Sequence, residues 1–449
     1  MSAARGQFSS KVGFVMAAAG SAVGLGNIWG FPTQTASNGG AAFVVVYFIL
    51  AFLLAYPALM AELIIGRHTQ SNVVNALSGL SQNPLTRILG AGIGYYGVLV
   101  ASLILSFYTI VAGWMLTYWA EPVTTVIGST GISDWLTRDS LPRNLSSSAV
   151  FAGLTMWIIA NGVENGIEKW SSRLMPLLVV ILLLLILYVL TQPGAMEGLA
   201  VYLLPDLGRI TDPALILSAM GQAFFSMSLG VGTMLIYGSY LSKEESLPRL
   251  GVIVTLVDSG IAFIAGLLII PAIYVAKQQG ATIFSEQGEL LAGPDLIFQV
   301  LPALFDSMGG VGLLVSFAFF ALMSIAALTS SISMLEVPVS MVVEKTNTPR
   351  ARAAYIIGLA ILAISAMIIF NFGTLFGFVI DLTTKYSEPL LGVMFCLFVG
   401  WIMHRDRLLM EVREGHENIE NSLFWKIWPI YVRFVCPVLI LATFIQSLA

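Results

Sequence analysis

Gly20-Ser21-Ala22-Val23-Gly24-Leu25-Gly26-Asn27 sits in the middle of the first long apolar run, from Val12 to Thr35. A membrane helix needs every N–H bonded four residues back, because hydrocarbon offers no water in exchange. Three glycines, a serine and an asparagine, with Pro32 a turn later, support that ladder poorly. The stretch reads as a break in a spanning helix, with freed carbonyls and N–H groups aimed at something polar. Taken alone, Gly20/Gly24 and Gly26/Gly30 would also fit a seam of small residues for a close helix neighbour. A second stretch, Phe225-Ser226-Met227-Ser228-Leu229-Gly230-Val231-Gly232, crowds glycines and hydroxyls into the sixth apolar run. The first and sixth runs cross in opposite senses. Paired discontinuous helices in two inverted halves point to a transport site at the bilayer midplane. Half-helix N-termini there face an anion and C-termini a cation. In the eighth run, Thr329 and Ser330 offer neutral oxygens suited to a hard monovalent cation. The plainer reading is that such hydroxyls bond back to their own helix. No His/Cys cluster suggests a transition metal.

The elements that must position these groups are long apolar helices. Of 449 residues, 57% are hydrophobic and 10% charged, with a mean hydropathy of +0.88. Soluble domains carry about 25% charged residues, so the chain is a polytopic, all-α membrane protein. Runs long enough to span, about 20 residues each, begin near Val12, Ala41, Ile88, Ser148, Arg173, Pro213, Leu250, Val311, Ala353, Phe378 and Phe424. The fourth is short, and Asp381, Lys385 and Glu388 interrupt the tenth. With the N-terminus in the cytoplasm, 15 of the 21 Lys and Arg fall on inner segments, a positive-inside bias. Eleven spans then put the C-terminus outside. Two outer segments are long, Glu121 to Ser147 and Lys277 to Met308, the latter with an amphipathic stretch from Pro294 to Leu304. Cys396 and Cys436 lie in apolar runs and read as buried hydrophobes rather than a disulfide. No signal peptide is expected, and the sequon Asn144-Leu145-Ser146 is discounted.

Several stretches together resemble the sodium:neurotransmitter symporter family, of which LeuT is a member. They are Gly20 to Asn27 with Phe31-Pro32 and Asn38-Gly39-Gly40; Glu62 with Gly66-Arg67; Tyr108 and Trp114; Ser226 to Gly232 with Gly238-Ser239-Tyr240; and Ala326 to Ser331. Gly166 and Pro176 match a Gly-x9-Pro pattern at the start of the fifth span. The resemblance covers nearly the whole chain. It implies a LeuT-like 5+5 inverted repeat with discontinuous helices 1 and 6 and one extra C-terminal helix. The repeats would cover about 11–192 and 213–404 and the extra helix about 424–447, within one transmembrane domain, 1–449.

The resemblance also implies site residues. A first sodium would take Ala22, Asn27, Ser226 and Asp258 together with the substrate carboxylate. A second would take the Gly20, Val23 and Ala326 carbonyls and the Thr329 and Ser330 hydroxyls. The carboxylate would meet the Leu25 and Gly26 N–H groups and Tyr108. The amino group would meet carbonyls at Ala22, Phe225 and Ser228, with Ser21 and Ser226 alongside. Ile104, Val231, Met234, Ser330 and Met334 would line the side-chain pocket, under a Phe225 lid. Glu62 would hold the unwound sixth helix. Arg5, Tyr240 and Glu344 would form an inner gate, Asp381 the acidic half of an outer one, and Gly166 to Pro176 an unwinding segment. Gly24 leaves room for the substrate's own carboxylate, where carriers of plain amines are expected to place Asp.

Departures from the family pattern sharpen the expectation. Gly30 replaces an outer-gate arginine, leaving Phe225, Tyr108 or Lys385 to close that side, and Phe8 replaces an inner tryptophan. Asp258 stands where chloride-dependent relatives are neutral. It is expected to supply fixed negative charge in place of chloride and is a candidate to take a proton on the return step, with Glu336 as a lesser candidate. An ionisable group at mid-span costs about 2.5–3.5 kcal/mol on insertion scales and usually serves function; the alternative is an acid capped by Ser226 or Ser259. The expectation is a chloride-independent, sodium-coupled symporter of neutral, hydrophobic L-amino acids in the inner membrane. It has two sodium sites, no organic cofactor, no nucleic-acid partner and a monomeric functional unit. The alternatives are a carrier of another zwitterion (taurine or a betaine) and a non-transporting amino-acid sensor. His68, His404 and His416 lie toward the cytoplasmic side and form no nucleophile–base pair, so no enzyme is expected.

Overall fold

The computed structural model describes residues 6–280, 296–416 and 418–448, and these contain helices, turns and no strand. Helices long and apolar enough to cross a membrane are Ala41–Thr69, Pro84–Val126, Val163–Val189, Leu247–Gln278, Gly310–Thr346, Arg350–Phe370 and Leu423–Ser447. Two bent pairs qualify when each is taken together: Lys11–Ala22 with Gly26–Ser37, bent by 56°, and Phe372–Ile402 with Arg405–Arg413, bent by 104°. The fourth and sixth of the expected spans correspond to Leu141–Ala160 and to Pro213–Ser226 followed by Thr233–Gly238. These two are shorter or more polar because they carry Arg143 and a run of serines, or the second break.

Local chemistry sets the helix ends. Ser10 caps the first helix by accepting the Gly13 N–H, and Asn72, Asn83 and Asp212 cap later ones in the same way; each satisfies a donor that would otherwise be orphaned. Pro84 and Pro213 stand at the first helical position, where no donor is lost. Small residues then set how closely helices approach. A Cβ at Gly66 would lie 1.9 Å from the Leu235 carbonyl oxygen, and one at Gly238 would lie 2.8 Å from that of Leu63. Backbone-to-backbone contact thus fixes the second span against the inner half of the sixth. The third span runs along the eighth; the first span's inner half packs on the fifth, eighth and seventh, and its outer half on the seventh and sixth.

The amphipathic outer segment forms the helix Ile297–Ser307, and residues 281–295 lie outside the described residues. Asn144 is buried, its side chain bonded to Arg143, Asp139 and Trp114, so the sequon is a structural joint. Cys396 and Cys436 are free and buried, with their sulfurs 3.7 Å apart.

At the inner end, the fully buried Arg67 donates through Nε to Glu411 Oε1 at 2.5 Å and also to the Glu411 and Glu245 carbonyls. His68 Nδ1 lies 3.3 Å from Glu411 Oε2. Burial alone would push the Glu411 carboxyl up, but the His68 bond and the Arg67 charge outweigh it and hold it below its ordinary range. The cluster therefore stabilises the fold above the usual carboxylate pKa and loses that contribution as pH falls through the depressed value. Glu411→Gln leaves a buried cation short of its partner. It is expected to cost about 3–5 kcal/mol, read as a lower unfolding midpoint in detergent.

Candidate functional site

The first span breaks at Val23, whose ψ of 92° takes it out of the helix. The sixth breaks between Ser226 and Thr233, where Ser228, Gly230 and Gly232 adopt φ of 51°, 81° and 84°. A serine in the left-handed region is strained, and such strain gathers at functional sites. The freed backbone is held by side chains. Glu62 Oε1 accepts the Gly230 N–H at 2.7 Å and Oε2 accepts that of Leu235 at 3.3 Å. Ser228 Oγ reaches across to the Ser21 carbonyl at 3.2 Å, joining one break to the other.

A cavity of about 50 Å³ lies between the breaks. It is lined by Ala22, Gly24, Leu25 and Gly26 of the first span, Phe225, Ser226, Ser228 and Val231 of the sixth, and Ile104 and Tyr108 of the third. Phe107, Ser330, Met334 and Glu388 complete its wall. Thus the residues predicted around the carboxylate, the amino group and the side chain converge, with two exceptions. Ser21 turns its hydroxyl to Ser333 at 2.7 Å, and Met234 is buried away from the cavity. The Leu25 N–H faces the Tyr108 oxygen at 3.4 Å, and Gln222 Nε2 donates to the Gly26 carbonyl at 2.8 Å. Phe225 is 41% exposed, so its ring stands beside the cavity rather than closing it.

Two oxygen clusters flank the cavity. In the first, Asn27 Nδ2 donates to Asp258 Oδ1 at 2.7 Å and to Ser226 Oγ at 2.9 Å. Ser226 Oγ donates to Asp258 Oδ2 at 2.9 Å, and the Tyr47 hydroxyl lies 3.4 Å from the same oxygen. Asp258 is fully buried and pairs with no Lys or Arg among the described residues. A carboxylate held only by neutral donors at this depth calls for a cation. In the second cluster, Ser330 Oγ lies 3.2 Å from the Gly20 and Ser21 carbonyls and 3.5 Å from that of Val23. Thr329 bonds back to Ile325 and Ala326 of its own helix, as the plainer reading anticipated. Crowded carbonyls need a positive partner, and here the Ser330 proton serves.

Tyr240 donates to Glu336 at 2.5 Å, and Arg350 pairs with the other oxygen of Glu336. Glu336 is therefore a buried ion-pair member and not the free proton site that its place in the sequence suggested. Glu344 accepts from the Asn72 backbone N–H and amide; Arg5 lies outside the described residues. The Phe8 N–H bonds the Tyr240 carbonyl at 3.1 Å, and Ser9 and Ser10 bond Glu168. Asp381 pairs with Lys385, four residues along its own helix, at 2.8 Å, with both half-exposed. Gly166 to Pro176 lies within the continuous helix Val163–Val189, so in this conformation the segment is not unwound. Tyr47, Gln222, Arg350 and Glu168 escaped sequence reasoning. Their partners lie 14 to 211 residues away, and only the rarity of charge in apolar runs hinted at any of them.

Two broken helices facing each other, with carbonyl clusters and a buried acid at the break, define a cation-coupled secondary transporter of the inverted-repeat kind. The comparisons agree. The model of the sodium:neurotransmitter symporter family matches residues 5–148 and 143–449. The uncharacterized sodium-dependent transporter YhdH of Bacillus subtilis is 35% identical, with 98% of this chain and 97% of that protein covered. The canine sodium- and chloride-dependent taurine transporter is 26% identical over 99% of this chain and 78% of its own. The crystal structure of MhsT in complex with L-phenylalanine superposes with a TM-score of 0.83 at 38% identity, covering 99% and 100% of the two chains. The chain belongs to the sodium:neurotransmitter symporter family. It is a multi-pass, sodium-dependent symporter with the LeuT fold and is not an enzyme.

A Cβ at Gly24 would lie 2.6 Å from Ser330 Oγ and 3.0 Å from the Tyr108 hydroxyl. Gly24→Ala is expected to dislodge both groups and weaken substrate binding about 10- to 100-fold, the worth of one charge-assisted hydrogen bond, measured by equilibrium binding.

Proposed function

We propose that the protein carries a neutral, hydrophobic L-amino acid inward with sodium by alternating access. One observation carries this reading: the anion-facing end of the cavity is bare backbone beside Gly24, with Tyr108 opposite, while Ile104, Phe107, Val231 and Met334 make an apolar wall. The carboxylate would meet the Leu25 and Gly26 N–H groups and Tyr108. The amino group would meet carbonyls at Ala22, Phe225 and Ser228, with Phe225 swinging in as the lid. The similarity to a protein crystallised with L-phenylalanine supports the substrate class.

Two sodium ions would travel as co-substrates. The first would bind Ala22, Asn27, Ser226, Asp258 and the substrate carboxylate, which ties ion to solute because each offsets the other's desolvation. Half a turn of the Asn27 amide would present its oxygen to the ion. The second would replace the Ser330 proton among the Gly20, Val23 and Ala326 carbonyls, with Thr329 turning toward it. Asp258 would make chloride unnecessary and exchange its sodium for a proton on the return. The Arg5, Glu344 and Tyr240 region would close the inner side, and Gly166 to Pro176 would loosen to let water reach the second ion. The outer side closes through Phe225 and Tyr108, since Gly30 offers no charge. The functional unit is a monomer in the inner membrane, its N-terminus cytoplasmic and C-terminus outside, built as one domain from repeats of about 11–192 and 213–404.

The sulfonate of taurine would use the same N–H groups, and the similarity to taurine transporters keeps that second reading in view. Purified protein in liposomes is expected to take up labelled L-phenylalanine when sodium is outside, equally in chloride and in gluconate. Competition by taurine and not by hydrophobic amino acids would overturn the substrate class. Binding without uptake would make the protein a sensor. Thr329→Ala is expected to abolish sodium-stimulated binding; an unchanged sodium dependence removes the second site. Acidification is expected to weaken sodium binding in the parent protein and leave Asp258→Asn unaffected, as followed by sodium titrations from pH 5 to 8.

A further inference from the structure

The tenth span carries a buried acid that neither ion cluster uses. Glu388 is 3% exposed and lines the central cavity. Its Oε2 is buried with no hydrogen-bond partner. The Glu388 backbone presses on the break in the sixth span: a Cβ on Gly230 would lie 2.2 Å from the Glu388 carbonyl oxygen. Gly230 also gives its N–H to Glu62, so the Glu62 carboxyl and the Glu388 main chain meet the same glycine.

Among the described residues, no Lys or Arg pairs with Glu62 or Glu388. The elements packed against Glu388 bring Glu62 from the second span, Tyr96 and Tyr108 from the third, and Tyr431, Arg433 and Cys436 from the eleventh. On its own span, Cys396 lies two turns away, and Asp381 and Lys385 pair with each other. Tyr96 bonds the neighbouring Ser387, and the Arg433 guanidinium stacks 3.9 Å over the Trp401 ring. Glu62 accepts the Gly230 and Leu235 N–H groups, whereas Glu388 has an oxygen with nothing to accept. A buried carboxylate oxygen with no donor and no cation is costly, and Glu388 Oε2 is where a proton belongs.

We infer that Glu388 is a proton-binding site whose neutral form is required when an apolar amino acid fills the cavity. This rests on the substrate class proposed above. With the cavity open, water reaches the Glu388 side of its wall and an anion there is tolerable. An apolar side chain lying against Ile104, Val231 and Met334 removes that water, and a bare carboxylate against it is costly. Above the pH at which ligand-free Glu388 gives up its proton, substrate binding therefore takes one up there. Its sign is opposite to that at Asp258, where the arriving sodium releases one.

The test is binding of labelled L-phenylalanine at saturating sodium from pH 5 to 8.5, below the titration of the substrate's own ammonium group. The expected result for the parent protein is constant affinity at low pH, then a fall of about tenfold per pH unit, the slope for one linked proton. Glu388→Gln, neutral at every pH, is expected to bind as the parent does at low pH and to show no fall. A flat profile in the parent, or an unchanged fall in Glu388→Gln, overturns the inference while sodium-dependent binding still stands. Affinity that rises with pH also overturns it, and would mark Glu388 as acceptor for a donor on the substrate. A second measurement needs neither binding nor transport. The infrared carbonyl stretch of a protonated carboxylic acid is expected in the ligand-free parent at neutral pH and missing from Glu388→Gln; its absence from the parent overturns the proton site.

Discussion

A main chain that leaves the helix inside hydrocarbon must have its N–H and carbonyl groups taken up by something other than water. The rest of this molecule is arranged around that demand at two places. Glu62 takes the amides of the sixth span, Gln222 gives to a first-span carbonyl, and Ser330 gives to three more. Each of these side chains comes from a helix other than the one it repairs. The breaks are stable only while the surrounding spans are in place, so the cavity is a property of the whole bundle.

This arrangement explains why ions and solute travel together. On the proposed mechanism, the carbonyls and amides that protein side chains satisfy in this structure are the ones that cargo would take over. Ser330 is the clearest case: its proton occupies the centre of an oxygen cluster that a cation fits. Asp258 differs because no neutral donor cancels its charge. Three hydrogen-bond donors shape its position, and none of them carries a charge.

The breaks were legible because glycine and serine are conspicuous where a spanning helix wants bulk, and because two such stretches lie five spans apart. Asp258 was legible because charge is rare at that depth, and Glu62 through the family resemblance. The tenth span's interruption by Glu388 was visible too, though its meaning required seeing that it meets Gly230. Less was legible where a group's role depends on a distant partner. Tyr47 is one aromatic among several in an apolar run until its hydroxyl is found beside Asp258. Glu336 read as a lesser proton candidate until Arg350 was found against it. Glu168 and the serines at 9 and 10 form a joint that no spacing rule foretells. The state of the gates was illegible for another reason: a sequence encodes a cycle, and Phe225 beside an uncovered cavity is one position in it.

The two thiols of this chain, Cys396 and Cys436, face each other in the interior between the tenth and eleventh spans. Neither presents a thiolate to water, so water-soluble maleimides have nothing to react with. The unmodified chain is in effect a dark background. A pair of cysteines placed on either side of a gate would report distance by fluorescence or spin labelling without first stripping out native ones.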